Sequence, residues 1–545
     1  MSGMQLITKK FGLLALFLPG LAAAATLVNP NDTSQQPPPG EYPALTVTIT
    51  QDDIESGALP LSDIQQQGEQ LFATPFNRYD GVGDGPQNLA TTSEEGGRPS
   101  FIVGNDDIPH PFPLRVNGLD AQACVECHFV GSNGVIPARF LVGGVGGIAA
   151  MAMPRATEFD IDDQAGNGFA FFNGRIINPP FVFGSGGIEL LAMEMTLELQ
   201  DIKAKARANP GELFALETHG INFGYIKWDL ITATKAVKDE IKAQKEKRFA
   251  HNCNPAGTSL VDDELARDKF IGFSAVPKLY ADSNDGDKTK ALALDTSQVV
   301  GVATDLIVRP FGRKGNNVTT RDFDCGALRF HQGVEPVEIF DDVDHDGDGY
   351  IDEIGVGPIS ALAIFNTTTK PPQASPQSVV AAVGAALFDE IGCARCHVPE
   401  IATRSAVLNY YFPEFGPGLT LFTPETLYYQ VDLSQPSIGF PSNTHGGITV
   451  PLHSDLKLHD MGPRLQETLS GQSEEQNRTF ITARLWGVAD TAPYLHDGRA
   501  STLTDAILQH DGEAYAEREA FRVLTDAQRR ALLAYLRTLR TPTSL

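Results

Sequence analysis

The stretches "ACVECHFVG" and "GCARCHVPE" form two Cys-x-x-Cys-His units, Cys124, Cys127 and His128, then Cys393, Cys396 and His397. No other feature constrains the chain as much. Two thiols three residues apart with an imidazole directly after them can be a zinc half-site, a redox pair or a haem attachment point. Zinc needs further cysteines or histidines at finger spacing, and none stands near either unit in the sequence. A thioredoxin-like pair wants a βαβ context, which is missing. The spacing suits thiols that add to haem vinyl groups while the histidine turns back onto iron, so two covalently bound haem c groups are expected.

The N-terminus agrees with that chemistry. Lys9 and Lys10 precede the apolar run "FGLLALFLPGLAAAA", which ends in small residues suited to signal peptidase, so residues 1–25 read as a signal peptide. No other stretch approaches the roughly 18–20 apolar residues that a bilayer crossing needs. The expected location is periplasmic or secreted, without a membrane span. A net charge of −26 argues against a nucleic-acid partner. Cys253 and Cys325 are the cysteines left over; in an oxidising compartment they are expected to pair, against the alternative of two buried thiols.

"GEQLF" (68–72) echoes "GAALF" (384–388), and both read as the first helix of a cytochrome c unit. The second runs straight into its motif, whereas an insertion of about fifty residues separates the first from Cys124. "TDAQRRALLAYLRTLR" starts on a Thr525 cap and puts Leu532, Tyr535, Leu536 and Leu539 on one face, as a closing helix would.

"TARLWGVADTAPYLHDGRASTLTDAILQHDGEA" (482–514) closely resembles the signature around the second haem of bacterial di-haem cytochrome c peroxidases. "NPPFVFGSGGIELL", "SDLKLHDMGPRL" and "VGPISALAIFN" resemble the di-haem oxidoreductase, or thiol-oxidoreductase-like, branch, to which di-haem rubber oxygenases are more distantly similar. The resemblance implies an electron-transfer haem whose distal ligand comes from the helix after "APYLHDG". There Leu503, Ala506, Ile507 and His510 follow the spacing of an inward face, which points to His510. A buried histidine bonded to backbone is the plainer reading of His510, Met461 is the competing ligand, and His496 is expected beside this haem.

The reaction then falls to the haem on His128. By resemblance its distal pocket lies in "RPFGRKGNNVTTRDFDCGALRFHQGVEP" (309–336), which departs from the peroxidase pattern. Arg313 stands where relatives carry tryptophan, Phe323 where they carry glutamine, Leu328 where the rubber oxygenases have phenylalanine, and His331 close to the acid position. His331 is the expected acid/base group or sixth ligand, with a surface histidine as the alternative.

Asp344, Asp346 and Asp348 in "DDVDHDGDGYIDEIG" offer hard oxygens in the D-x-D-x-D-G pattern of a calcium loop. The peroxidase resemblance implies a second calcium between the haems, held by Asn178 and the carbonyls of Thr491 and Pro493.

The expected architecture is mainly α: two cytochrome c-like haem domains with long loops and a large insertion between the motifs. A Pro-rich leader would span 26–59, the N-terminal haem domain 60–355, a linker 356–378 and the C-terminal haem domain 379–545. The expected function is a peroxidase-like oxidoreductase that activates peroxide or dioxygen at the first haem. Electrons would reach it through the second haem from a small cytochrome c or cupredoxin, or the oxidant would be a small molecule. The alternatives are an electron-transfer protein with both irons saturated and an oxygenase acting on an apolar substrate.

Overall fold

The computed structural model describes residues 42–81, 122–126, 128, 178, 182–239, 281–283, 287, 289–328, 332–340, 350–351, 353–411, 427–467 and 473–542. The signal segment, Cys127, Cys253, His331, Asp344, Asp346 and Asp348 lie outside the described residues.

Two helix pairs repeat one design. Helix α1 (Leu61–Ala73) packs on α4 (Val356–Thr368), and α5 (Val379–Glu390) packs on α8 (Asp526–Leu536). Both crossings are close because a glycine sits at the contact. A Cβ at Gly68 would lie 2.1 Å from the Ala361 carbonyl oxygen, and one at Gly384 would lie 1.9 Å from that of Ala531. One turn beyond each glycine is a buried phenylalanine, Phe72 and Phe388. The echo between 68–72 and 384–388 is thus a repeated packing solution, with a first and a closing helix in each unit.

Helix α4 belongs to the stretch expected as linker, yet residues 357–368 are all buried. A helix enclosed on every side shows no amphipathic period, which is why its sequence does not announce it. The leader also contributes to the fold: Thr50 and Asp53 form a capping box for residues 51–55, and Val47, Ile49 and Ile54 join the core. Helix α2 (Ser185–Ala208) lies against α4 through Gly186, whose Cβ would meet the Thr367 carbonyl at 2.2 Å.

The described residues are not mainly α: among them helix accounts for about 39% and strand for about 19%, in several sheets. Most strand residues fall in the insertion between the haem motifs. There β1 (Leu213–Thr218), β2 (Ile221–Thr232), β3 (Ala281–Ser283) and β4 (Lys290–Val299) form an antiparallel sheet in the order β1-β2-β4-β3. Phe223, Ile226 and Trp228 of β2 are buried while Tyr225 is exposed, the alternation of a strand with one covered face. Short two-stranded ladders follow: β5 (Gln373–Ala374) with β12 (Leu539–Arg540), β6 (Ile401–Ala402) with β9 (Thr449–Val450), β7 (Val407–Tyr411) with β8 (Leu427–Asp432), and β10 (Leu458–Asp460) with β11 (Thr479–Ile481).

Two large apolar clusters lie among the described residues. The larger joins α1, α2, α4 and the sheet; the smaller joins Leu387 and Phe388 of α5 to Phe521, Leu532, Tyr535 and Leu536. Cys124 borders the first cluster and Cys393 the second.

Candidate haem sites

Both Cys-His motifs make the same tight turn. His128 N–H donates to the Cys124 carbonyl at 2.8 Å, and His397 N–H to that of Cys393 at 2.9 Å. Each imidazole lies beside the phenylalanine of its first helix, with Phe72–His128 centroids 6.3 Å apart and Phe388–His397 centroids 6.4 Å apart.

Opposite His397 stands His510, at the C-terminal end of α6 (Leu503–Gln509), which Thr502 caps through Asp505 N–H. The ring centroids are 6.3 Å apart and nearly edge-to-face. Two imidazoles on opposite sides of one metal, with bonds of about 2.0–2.1 Å and about 1.1 Å from nitrogen to ring centre, span about 6.3 Å. His397 Nδ1 pairs with the His453 carbonyl at 3.1 Å, and His510 Nδ1 with the Ala506 carbonyl at 2.9 Å. Those acceptors fix the tautomer and leave each Nε2 as the lone-pair nitrogen, the arrangement typical of ligating histidines. Burial, with His510 adding to it, brings His397 down to about 4, and burial also lowers His510, so both rings are neutral near pH 7. His397 and His510 would be the residues to hold a haem iron here. Met461 directly follows β10, and its N–H donates to the Arg478 carbonyl at 2.9 Å.

A charged chain flanks the same motif. His459 bonds Asp455 through Nε2 at 3.0 Å and Glu513 through Nδ1 at 2.7 Å. Burial opposes charge on this ring, but Asp455, Cys396 and Glu513 outweigh it and push His459 up to about 11. Cys396 Sγ and ligand-type atoms of Asp455 and His459 lie within 4.8 Å of one another. Both His459 nitrogens already face carboxylates, so an imidazolium suits this grouping better than a metal ligand does. Sequence reasoning missed the cluster; its only local trace is an acid and a histidine four residues apart in "SDLKLHD".

His496 stacks on Phe480, with centroids 4.7 Å apart, and burial lowers it to about 4. Beside it, burial disfavours the Glu467 carboxylate, yet Arg313 and Lys314 override this and hold it near 2. Arg313 is an ion-pair partner of Glu467, with Nε 2.6 Å from Oε1.

Of the expected distal pocket, Leu328 is buried and Phe323 half-buried, both in the core that Cys124 borders. Helix α3 (Thr320–Ala327) carries Phe323 and buries a polar set behind it. Arg321 pairs with Glu338 at 2.8 Å, and Asn366 Nδ2 donates to both Asp324 oxygens at 3.0 and 3.1 Å. Burial raises the Asp324 carboxyl well above its usual range and takes that of Glu189 to about 7. Cys325 is a buried thiol that donates to Glu338 Oε1 at 2.7 Å, and its expected disulfide partner Cys253 lies outside the described residues.

Asn178 does meet the "TAPYLHDG" turn. Its Nδ2 donates to the carbonyls of Pro493 at 2.8 Å and Leu495 at 2.9 Å, and its Oδ1 is buried without a partner.

A duplicated helix pair bearing Cys-His motifs, with one histidine facing a second at metal-spanning distance, is an arrangement that could hold haem. Residues 441–539 match the family described as "Di-haem oxidoreductase, putative peroxidase", so this segment carries that family's signature. No curated protein matches the chain. Among solved structures, hydrazine synthase of Kuenenia stuttgartiensis is 16% identical, with 40% of this chain and 61% of that one covered and a TM-score of 0.22. A MauG-like protein associated with microbial copper homeostasis is 17% identical, with 37% and 63% covered and a TM-score of 0.21. The chain therefore spans about six-tenths of the length of each. Among the described residues no helix is long and apolar enough to cross a membrane.

Proposed function

We propose that the chain is an exported di-haem c-type oxidoreductase in which peroxide or dioxygen reacts at the site built on His128, with electrons supplied through the site built on His397 and His510. The observation that carries this reading is the facing pair of neutral imidazoles at 6.3 Å. A site closed on both sides by histidine has no position for an oxidant, so it suits electron storage and transfer, and the chemistry is left to the other motif. Haem bound there would supply one-electron and oxygen chemistry.

The chain's own groups then set what the first site can do. His128 offers one imidazole, oriented by the Cys124 turn and by Phe72. Phe323 has no proton to give, and Leu328 adds only apolar surface. By resemblance the proton that O–O cleavage requires would sit on a ring nitrogen of His331, which makes the site a weaker peroxidase than relatives with glutamine and acid. The electron donor would be a small cytochrome c or cupredoxin. Calcium is a further part of the proposal: the unpartnered Asn178 Oδ1 fits a hard cation, although the Pro493 carbonyl is already engaged by Asn178 Nδ2.

Absorption spectra of the reduced holoprotein with and without carbon monoxide test the reading. One of two covalently attached haems should bind carbon monoxide. If neither binds, the protein is an electron carrier with two saturated irons; if the protein carries no covalent haem, the c-type assignment is wrong.

A further inference from the structure

Three carboxyl groups and one guanidinium are enclosed together behind α3. Glu189 is 2% exposed and Asp324 6%, and the side chains of Arg321 and Glu338 are at most 1% exposed. Arg321 directs its fork at Glu338, Nε donating to both carboxylate oxygens and Nη2 to Oε2, while the Cys325 thiol donates to Oε1. Its Nη1 goes to two neutral hydroxyls, those of Ser360 and Tyr428. Glu338 is thereby answered, and the described groups that act on Glu189 and Asp324 include no second cation. Three buried negative charges against one positive would be too costly, so the enclosure holds protons.

The hydrogen bonds point to a proton independently. Thr320 N–H donates to Glu189 Oε2 at 2.7 Å, and Asn366 Nδ2 donates to both Asp324 oxygens. Two acceptors of the same enclosure lack a donor: Thr320 Oγ1, next to Glu189, and Asn366 Oδ1. Ionised carboxylates bring acceptors only, whereas a protonated one brings an O–H. Burial accordingly takes the Glu189 carboxyl to about 7, and burial, with the charge of Glu189 adding to it, raises that of Asp324.

An aromatic layer joins this enclosure to the first Cys-His motif. Asn366 follows Phe365 on α4; the Phe365 ring lies 5.8 Å from Phe72, and Phe72 lies 6.3 Å from His128. Ser185 Oγ donates to the Asn366 carbonyl at 2.7 Å, which fixes α2, with Glu189 one turn further on, to the same residue. Apolar rings screen charge poorly, so a charge gained at the motif is felt in the enclosure.

We propose that Glu189 and Asp324 form a proton-binding pair linked to the redox state of the site on Cys124 and His128, an inference that rests on the di-haem reading above. One electron arriving there from the small redox donor adds a negative charge, and the pair takes up one proton from solvent to offset it. By linkage that proton raises the affinity of the site for its electron by the same factor, about 5-fold or more. The other groups facing the pair leave it as the part that titrates: Arg321 and Glu338 neutralise each other, burial keeps Cys325 a thiol, and α4 contributes the neutral Ser360 and Asn366.

The test compares the haem-loaded full chain as wild type, Glu189→Gln and Asp324→Asn, by covalent haem content, midpoint potentials across neutral pH and reduced-minus-oxidised infrared spectra. In wild type the first site's midpoint should rise as pH falls through neutrality, and a protonated-carboxyl band should gain intensity on reduction. Both the slope and the band should be lost in the variants, whose amides keep the shape of the acids without their proton. If the variants do not load haem, the carboxyl band of wild type decides alone. A pH slope that persists in both loaded variants, or a wild-type carboxyl region that does not change on reduction, would overturn the proposal. Absence of covalent haem from wild type would instead sink the di-haem reading itself.

Discussion

Replacing His459 with glutamine removes the one cation between two carboxylates beside Cys396. Charge-assisted hydrogen bonds contribute about 1.5–3 kcal/mol each. The Asp455 arm deserves the full figure, because that carboxylate is 3% exposed; the Glu513 arm deserves little, because its side chain is 54% exposed. Glutamine can still donate to Asp455, and Thr482 Oγ1 and Lys457 N–H continue to support it at 2.7 and 2.9 Å, but no counter-charge remains. The expected loss at pH 7 is about 3 kcal/mol. For a unit of roughly 150–250 residues that lowers the melting temperature by about 6–12 °C.

The pH dependence gives the sharper check. His459 is raised from 6.5 to about 11 in the folded protein, so its stabilisation is complete below about pH 6.5 and is lost as pH rises through about 11. The gap between wild type and His459→Gln should therefore be widest at pH 6–7 and shrink toward alkaline pH. Thermal melting followed in the Soret band across that range measures it. A gap that is absent at pH 7, or that stays constant to pH 11, would refute the charged-ring assignment.

Three other outcomes are expected. His510→Ala should leave covalent haem at two per chain and convert the second haem to a high-spin form; an unchanged low-spin spectrum would remove His510 as ligand. Gly384→Ala should cost about 1–3 kcal/mol or more and lower the melting temperature, because the new methyl meets the Ala531 carbonyl on a backbone that cannot give way. Chelation of calcium should lower the melting temperature if Asn178 Oδ1 holds a cation, and melting curves that coincide with and without chelator would count against that site.

How much of this was legible in the sequence depends on how far each contact reaches. The Cys-His turns are local, and so is the cap at Thr502 that starts α6, which is why helix spacing, once the resemblance had pointed to this helix, led to His510. Helix α4 fails the same approach for a physical reason: "VGPISALAIFN" is enclosed on all sides, so its apolar residues have no face to favour. Strand β2 does alternate, but half of "INFGYIKWDLIT" faces solvent, and nothing near it in sequence marks β4 as the partner that makes the alternation a sheet.

The polar contacts are the least legible. Asp455 and His459 meet Cys396 only because Leu456 takes a left-handed backbone, φ 57°, and folds the segment back on itself. No propensity predicts that conformation for leucine, so it persists only where surrounding packing enforces it. The glycines at 68 and 384 are the opposite case. Each precedes its phenylalanine by four residues, and in both units the missing Cβ lets a second helix approach until carbonyl and Cα touch. That pairing was visible as an echo, and its physical meaning, a close helix crossing next to each Cys-His motif, would have identified α4 as the counterpart of α8.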